Sequence, residues 1–64
     1  MKEFRVGTHL KEKDLEELML YIIKWFAYMN TMYRVVKEGE YFSLYWTMTN
    51  NQYKRLCSDY AKTH

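Results

Sequence analysis

The strongest constraint on this chain is a helical stripe with more apolar surface than one small sheet can cover. Residues 11–30 carry Leu15, Leu18, Met19, Ile22, Phe26 and Met29 at i, i+3, i+4, i+7, i+11 and i+14. That spacing puts all six on one face of a helix. Glu12, Asp14, Glu16 and Glu17 crowd its first turns, where the helix dipole favours negative charge. At about 100° per residue, Leu20, Ile23 and Ala27 widen the stripe on one side. Tyr21, Trp25 and Tyr28 widen it on the other. Only Glu16, Glu17 and Lys24 clearly favour water. Something else must cover the excess: a second helix, a second copy of the chain, or a partner.

A bilayer is not the answer. The most apolar stretch, residues 18–29, is interrupted by Lys24 and falls short of the ~20 apolar residues a spanning helix needs. The opening Met1-Lys2-Glu3-Phe4-Arg5-Val6 lacks an apolar segment of signal-peptide length. With 64 residues, the expectation is one domain that buries about 60% of its unfolded surface. Aliphatic residues are few, and aromatics make up 19% of the chain. Met, Tyr and Trp must therefore build part of the core, and Tyr and Trp are usually only partly buried because their polar atoms need partners. The single cysteine excludes a disulfide scaffold. With no export signal, it fits a reducing cytoplasm.

The flanks of the helix read as sheet. Phe4, Val6 and Thr8 alternate with Arg5, Gly7 and His9, as in a half-buried strand over residues 3–9. Residues 32–37 and 41–48 are rich in Val, Tyr, Phe and Trp around Glu38-Gly39, which predicts a hairpin. A two-residue loop there would set Val36 against Tyr41 and Val35 against Phe42. Tyr33, Val35, Phe42, Leu44, Trp46 and Met48 then share one face. Arg34, Val36, Tyr41, Ser43, Tyr45 and Thr47 share the other. Thr49 or Asn50 can cap a second helix, along which Tyr53, Leu56, Cys57 and Tyr60 form the apolar stripe. The expected fold is a small α+β domain in the order β-α-β-β-α. Its three-stranded, mostly antiparallel sheet has strand order 1-3-2, with one long and one short helix on one face. The crossover between the first two strands should be right-handed. The topology is similar to part of a ferredoxin-like unit, a likeness that carries no functional weight.

Catalytic signals are missing. Cys57 and His9 fall on different elements, and Cys57 fits the apolar stripe, where free cysteine acts as a small hydrophobe. Glu16 and Glu17 are adjacent on a helix and point different ways, so they are not an acid/base pair. Two histidines and one cysteine offer no zinc spacing. Gly7 and Gly39 cannot form a phosphate loop. No enzyme, cofactor or metal site is expected.

Three surfaces have binding content. The outer sheet face presents Arg5, His9, Arg34, Tyr41, Ser43 and Tyr45, cations beside rings, as in modules that stack bases and engage phosphates. The spare flanks of the long helix offer Leu20, Ile23 and Ala27, or Tyr21, Trp25 and Tyr28, with Lys24 between them. Tyr and Trp with few charges suit an interface core or a homodimer. The second helix carries a basic face of Lys54, Arg55 and Lys62. The net charge of +2 is modest for a nucleic-acid binder.

The leading expectation is a small non-enzymatic protein-binding module: an inhibitor, adaptor or regulator that occupies a partner's surface. Phages and mobile elements encode many proteins of this kind. The alternative is a nucleic-acid-binding protein using the aromatic and basic sheet face. Membrane attachment through the long helix is disfavoured by Glu16, Glu17 and the absence of a Lys/Arg-rich polar face.

Overall fold

The computed structural model describes residues 1–25 and 32–63. Strand β1 (Lys2–Leu10) leads into helix α1 (Glu12–Trp25). Strands β2 (Tyr33–Glu38) and β3 (Tyr41–Met48) form the hairpin, and helix α2 (Asn50–Thr63) follows. The sheet has the order β1-β3-β2, and both pairings are antiparallel. This is the α+β layer expected from the sequence. The part of the long helix expected beyond Trp25 lies outside the described residues.

Helix α1 begins where the Leu15 N–H donates to the Lys11 carbonyl at 2.8 Å. Glu12 and Asp14 sit in its first turn, beside the positive end of the helix dipole. Leu18 and Ile22 are buried, with Leu15 and Met19 packed at the margin. Helix α2 begins in a reciprocal cap. The Gln52 N–H donates to Thr49 Oγ1 at 3.1 Å, and the Thr49 N–H donates to Gln52 Oε1 at 2.9 Å. This satisfies two otherwise orphan donors and identifies Thr49 as the cap residue.

Leu18 and Ile22 of α1, Leu44, Trp46 and Met48 of β3, and Leu56 of α2 form one core. Because β3 supplies half of this core, both helices lie on the same face of the sheet. Phe4 of β1 stacks on Tyr53 of α2, with centroids 4.2 Å apart and planes 7° from parallel. Tyr21 of α1 meets Tyr60 of α2 edge-on at 5.1 Å. The second helix therefore covers the Tyr21 flank of the first. Helix α1 packs over β1 and β3, and α2 packs on β1. Strand β2 lies beyond both, and five of its six residues are exposed.

Two expectations about register need correction. The hairpin loop is Gly39-Glu40, not Glu38-Gly39: Glu38 pairs with Tyr41, Val36 with Ser43 and Val35 with Leu44. Gly39 takes φ +65°, and glycine at the first loop position is the usual choice where only that residue needs positive φ. The shift is two residues, and side chains alternate with period two. Every residue of the hairpin therefore keeps its expected face.

In β1 the shift is odd and the faces change. Arg5 pairs with Tyr45, but Gly7 pairs with Leu44, so Val6 is an extra residue in a bulge. Both Val6 and Gly7 then turn toward the helices. A Cβ on Gly7 would lie 2.8 Å from Leu10 Cδ1 and 2.8 Å from Leu18 Cδ2. A second irregularity precedes Leu10, where His9 adopts φ 54°. Thr8 was expected to face inward; instead its hydroxyl reaches Ser43 on the outer face.

Candidate interaction surface

The outer sheet face brings together most of the residues expected there, and it also holds two acids that alter its character. Arg34 on β2 lies opposite Tyr45 on the central strand. Its guanidinium carbon sits 4.3 Å from the centre of the Tyr45 ring. Beyond that ring, Arg34 Nη2 donates to Glu3 Oε1 at 2.9 Å and Nε donates to Glu3 Oε2 at 3.3 Å. Arg34 thus links both edge strands across β3. Its hydrogen bond holds the Glu3 carboxyl below the usual carboxylate range and pushes the guanidinium further up.

A second polar chain crosses the face nearer the hairpin loop. The buried Ser43 hydroxyl donates to Glu38 Oε1 at 3.3 Å and lies 3.3 Å from Thr8 Oγ1. Thr8 Oγ1 is 3.5 Å from His9 Nδ1, and the His9 ring meets Tyr41 edge-on at 5.9 Å. These contacts are long, and the hydroxyl nearest a carboxylate is the buried one. Their evident work is to tie the bulged part of β1 to β3. Arg5 and Tyr41 remain exposed on this face. Two arginines and two glutamates thus share it, and one arginine is held by one of the acids.

The sequence singled out neither Glu3 nor Glu38. The available signal was parity. Glu3 shares its face with Arg5, and Glu38 shares its face with Arg34 and Val36.

The helix-side surface is more apolar than expected. On α1, Leu20 is 58% exposed and Ile23 49%. Lys24 is also exposed. Tyr28 and the Trp25 side chain lie outside what the structure describes. Ile23 lies about 200° around the helix from Tyr21. Since Tyr21 turns toward α2, Ile23 turns away from it. On β2, Tyr33 and Val35 project from the helix-side face with 49% and 39% of their surfaces exposed, and Met32 before them is exposed too. Tyr33 keeps one ring face on Trp46 at 4.8 Å, with planes 21° apart.

The α2 surface is less coherent. Lys54 and Arg55 are exposed, and Arg55 reaches Asp59 at 3.5 Å, one turn on. The Lys62 side chain lies outside what the structure describes. Cys57, expected in the apolar stripe, is exposed. The rest of that stripe holds: Leu56 is buried, and Tyr53 and Tyr60 pack partly against the core. The Cys57 thiol beside Tyr53 pushes the Tyr53 hydroxyl above the usual phenol range. Burial does the same to Tyr60, reinforced by Glu17 and Asp14.

Among the described residues, no group of three His, Cys, Asp or Glu side chains is placed to hold a metal ion. No described helix is long and apolar enough to cross a membrane. No protein-family model matches the sequence, and no curated protein or solved structure does so either.

Proposed function

We propose that the chain is a small non-enzymatic protein-binding module that acts by occupying a partner's surface, as an inhibitor, adaptor or regulator. The observation that carries this reading is the exposed apolar surface on α1 and on β2. Leu20, Ile23, Met32, Tyr33 and Val35 are all exposed on a domain of 64 residues. Burying such side chains against a partner yields about 25 cal/mol per Å² of apolar area. Tyr with aliphatic neighbours and few charges also matches the core of a protein interface. Tyr41, 40% exposed at the opposite face, adds a further anchor. Leu20 and Ile23 also belong to one of the two flanks through which the sequence suggested a homodimer or partner.

Nucleic-acid binding through the outer face has less to draw on. Arg34 already binds Glu3 and covers Tyr45, and Glu38 adds a second acid. Binding phosphate there would require breaking a two-bond ion pair.

The test is affinity capture from lysate at moderate salt, with and without nuclease, using three forms of the chain. Wild type should retain a discrete protein in stoichiometric amount after nuclease treatment. Ile23→Asp should lose it, since the new carboxylate sits in that exposed surface and not in the core. Lys54→Glu should keep it. Recovery of nucleic acid alone, or protein capture indifferent to Ile23→Asp, overturns this assignment.

A further inference from the structure

We propose that β2 pairs antiparallel with the β2 strand of a second copy of this chain, joining two three-stranded sheets into one of six across a two-fold axis.

The backbone provides the first part. Thr47 N–H donates to the Met32 carbonyl at 3.0 Å. In an antiparallel ladder, hydrogen-bonded and non-hydrogen-bonded pairs alternate. Arg34, Val36 and Glu38 therefore direct their backbone groups into β3. Tyr33, Val35 and Lys37 direct theirs outward, to the free edge of the sheet. Natural proteins blunt such an edge with charged side chains, short strands, proline, bulges or a covering element; β2 is six residues long and carries Arg34, Lys37 and Glu38, so its charges decide which strand can pair with it. The chain has no proline, the register of β2 is unbroken from Tyr33 to Glu38, and among the described residues the helices pack chiefly on β1 and β3.

The identity of the occupant comes from the sequence of the strand itself. An isologous pairing must match residues that share a face, so it is centred on one residue. Centring on Arg34 or Lys37 sets that cation against its own copy. Centring on Val35 sets Arg34 against Val36. Centring on Val36 sets Arg34 of each copy opposite Glu38 of the other, with Val36 against Val36; Arg34 spends two of its five N–H donors on Glu3 and can reach Glu38 without releasing that pair. On the helix side, the same register lays the aliphatic stem of Lys37 beside Val35 of the other copy. It also makes the outward-facing Val35 and Lys37 a hydrogen-bonded pair on each side of the axis, and each pair exchanges two backbone bonds. Charge complementarity therefore selects one register, and the edge donors and acceptors of Val35 and Lys37 are satisfied in it. Opposite charges across strands favour this arrangement, and like charges penalise its rivals. So short an interface belongs to the weak, transient class.

This inference shares Val35 with the partner reading above but does not rest on it, because a strictly monomeric chain would still expose Leu20 and Ile23 on α1. Its test is sedimentation equilibrium from tens of micromolar to millimolar protein, with circular dichroism as the folding control. Wild type should dimerise reversibly. Val35→Pro removes an outward N–H that the hairpin does not use, so it should leave the fold intact and abolish the dimer. Arg34→Glu and Glu38→Arg should each weaken self-association about tenfold or more. Mixed together, they should associate again, because one chain then carries two acids and the other two arginines. A wild type that stays monomeric at millimolar concentration overturns the proposal. So does a dimer that survives in folded Val35→Pro. If Val35→Pro does not fold, the mixing experiment decides alone: failure to restore association overturns the proposal.

Discussion

The two edges of this sheet contrast sharply. Strand β1 is bulged twice and lies under both helices. Phe4 is stacked on Tyr53, and Gly7 is pressed against Leu10 and Leu18. Strand β2 is regular and bare, and its helix-side residues are half open to solvent. The same sheet thus has one edge built into the core and another left accessible. In a chain of this size, stability is a small difference between large terms. Among the described residues, burial is concentrated at β1, β3 and the two helices, and β2 is mostly exposed. Side chains along the covered edge should govern stability, and those along the bare edge should govern association.

The largest effect should come from breaking the covered side. Leu56 is 2% exposed and pins α2 to the core. Leu56→Ala should cost roughly 2–5 kcal/mol, enough to unfold much of a marginal domain. Tyr33→Ala, on the bare side, removes a half-exposed ring and one stacking contact. It should cost about 1 kcal/mol, with little change in the cooperativity of unfolding. Urea titration followed by tryptophan fluorescence measures both. Equal losses at the two positions would erase the proposed division of labour.

A smaller effect separates the two glycines, one on each side. Gly7→Ala drives a Cβ to 2.8 Å from atoms of both Leu10 and Leu18. Overpacking of this kind costs about 1–3 kcal/mol. Gly39→Ala meets nothing within 4 Å, but it must hold φ +65°, which costs an L-residue about 1–2 kcal/mol. The two losses have different origins. Only the first should ease when Leu10 is also trimmed to Ala, as a double-mutant cycle in urea would show. Additivity at the Gly7 and Leu10 pair would mean that β1 does not pack as closely on α1 as the structure shows.

The contrast between the edges was only half legible in the sequence. The helical stripes and a cap at Thr49 or Asn50 follow from local periodicity and side-chain chemistry, which residues a few positions apart already express, and the 1-3-2 order follows from the crossover and hairpin these elements imply. The faces of the hairpin survived a misplaced loop, because an error of two residues returns each side chain to its own side. The bulge at Val6 was not legible. It depends on how closely α1 approaches Gly7, a tertiary fact. Nor could the sequence show which strand the helices would leave uncovered, since Tyr33 and Val35 have the same alternation as buried residues. On the outer face, the arginines were read without their acids. Glu3 lies thirty-one residues from Arg34, and only the order of strands brings them together.

The smallest effect tests the one ion pair that links the two edges. Arg34 crosses Tyr45 to reach Glu3, so the bare strand is tied to the covered one through a solvent-facing contact. Because the folded-state pKa of Glu3 is lowered, its contribution to stability is present above the normal carboxylate range. It is lost as pH falls through the depressed folded value. Arg34 stays protonated throughout, so Glu3 alone sets this window. Carboxyl chemical shifts followed by NMR across acid pH should show Glu3 titrating below the usual range. Arg34→Gln should move its midpoint back upward. High salt should narrow that difference, since both side chains face solvent. A Glu3 midpoint that ignores Arg34→Gln would mean the pair does not persist in solution. Arg34 would then be available on the outer face, as the nucleic-acid reading requires, and oligonucleotide binding that weakens steeply with salt would be expected.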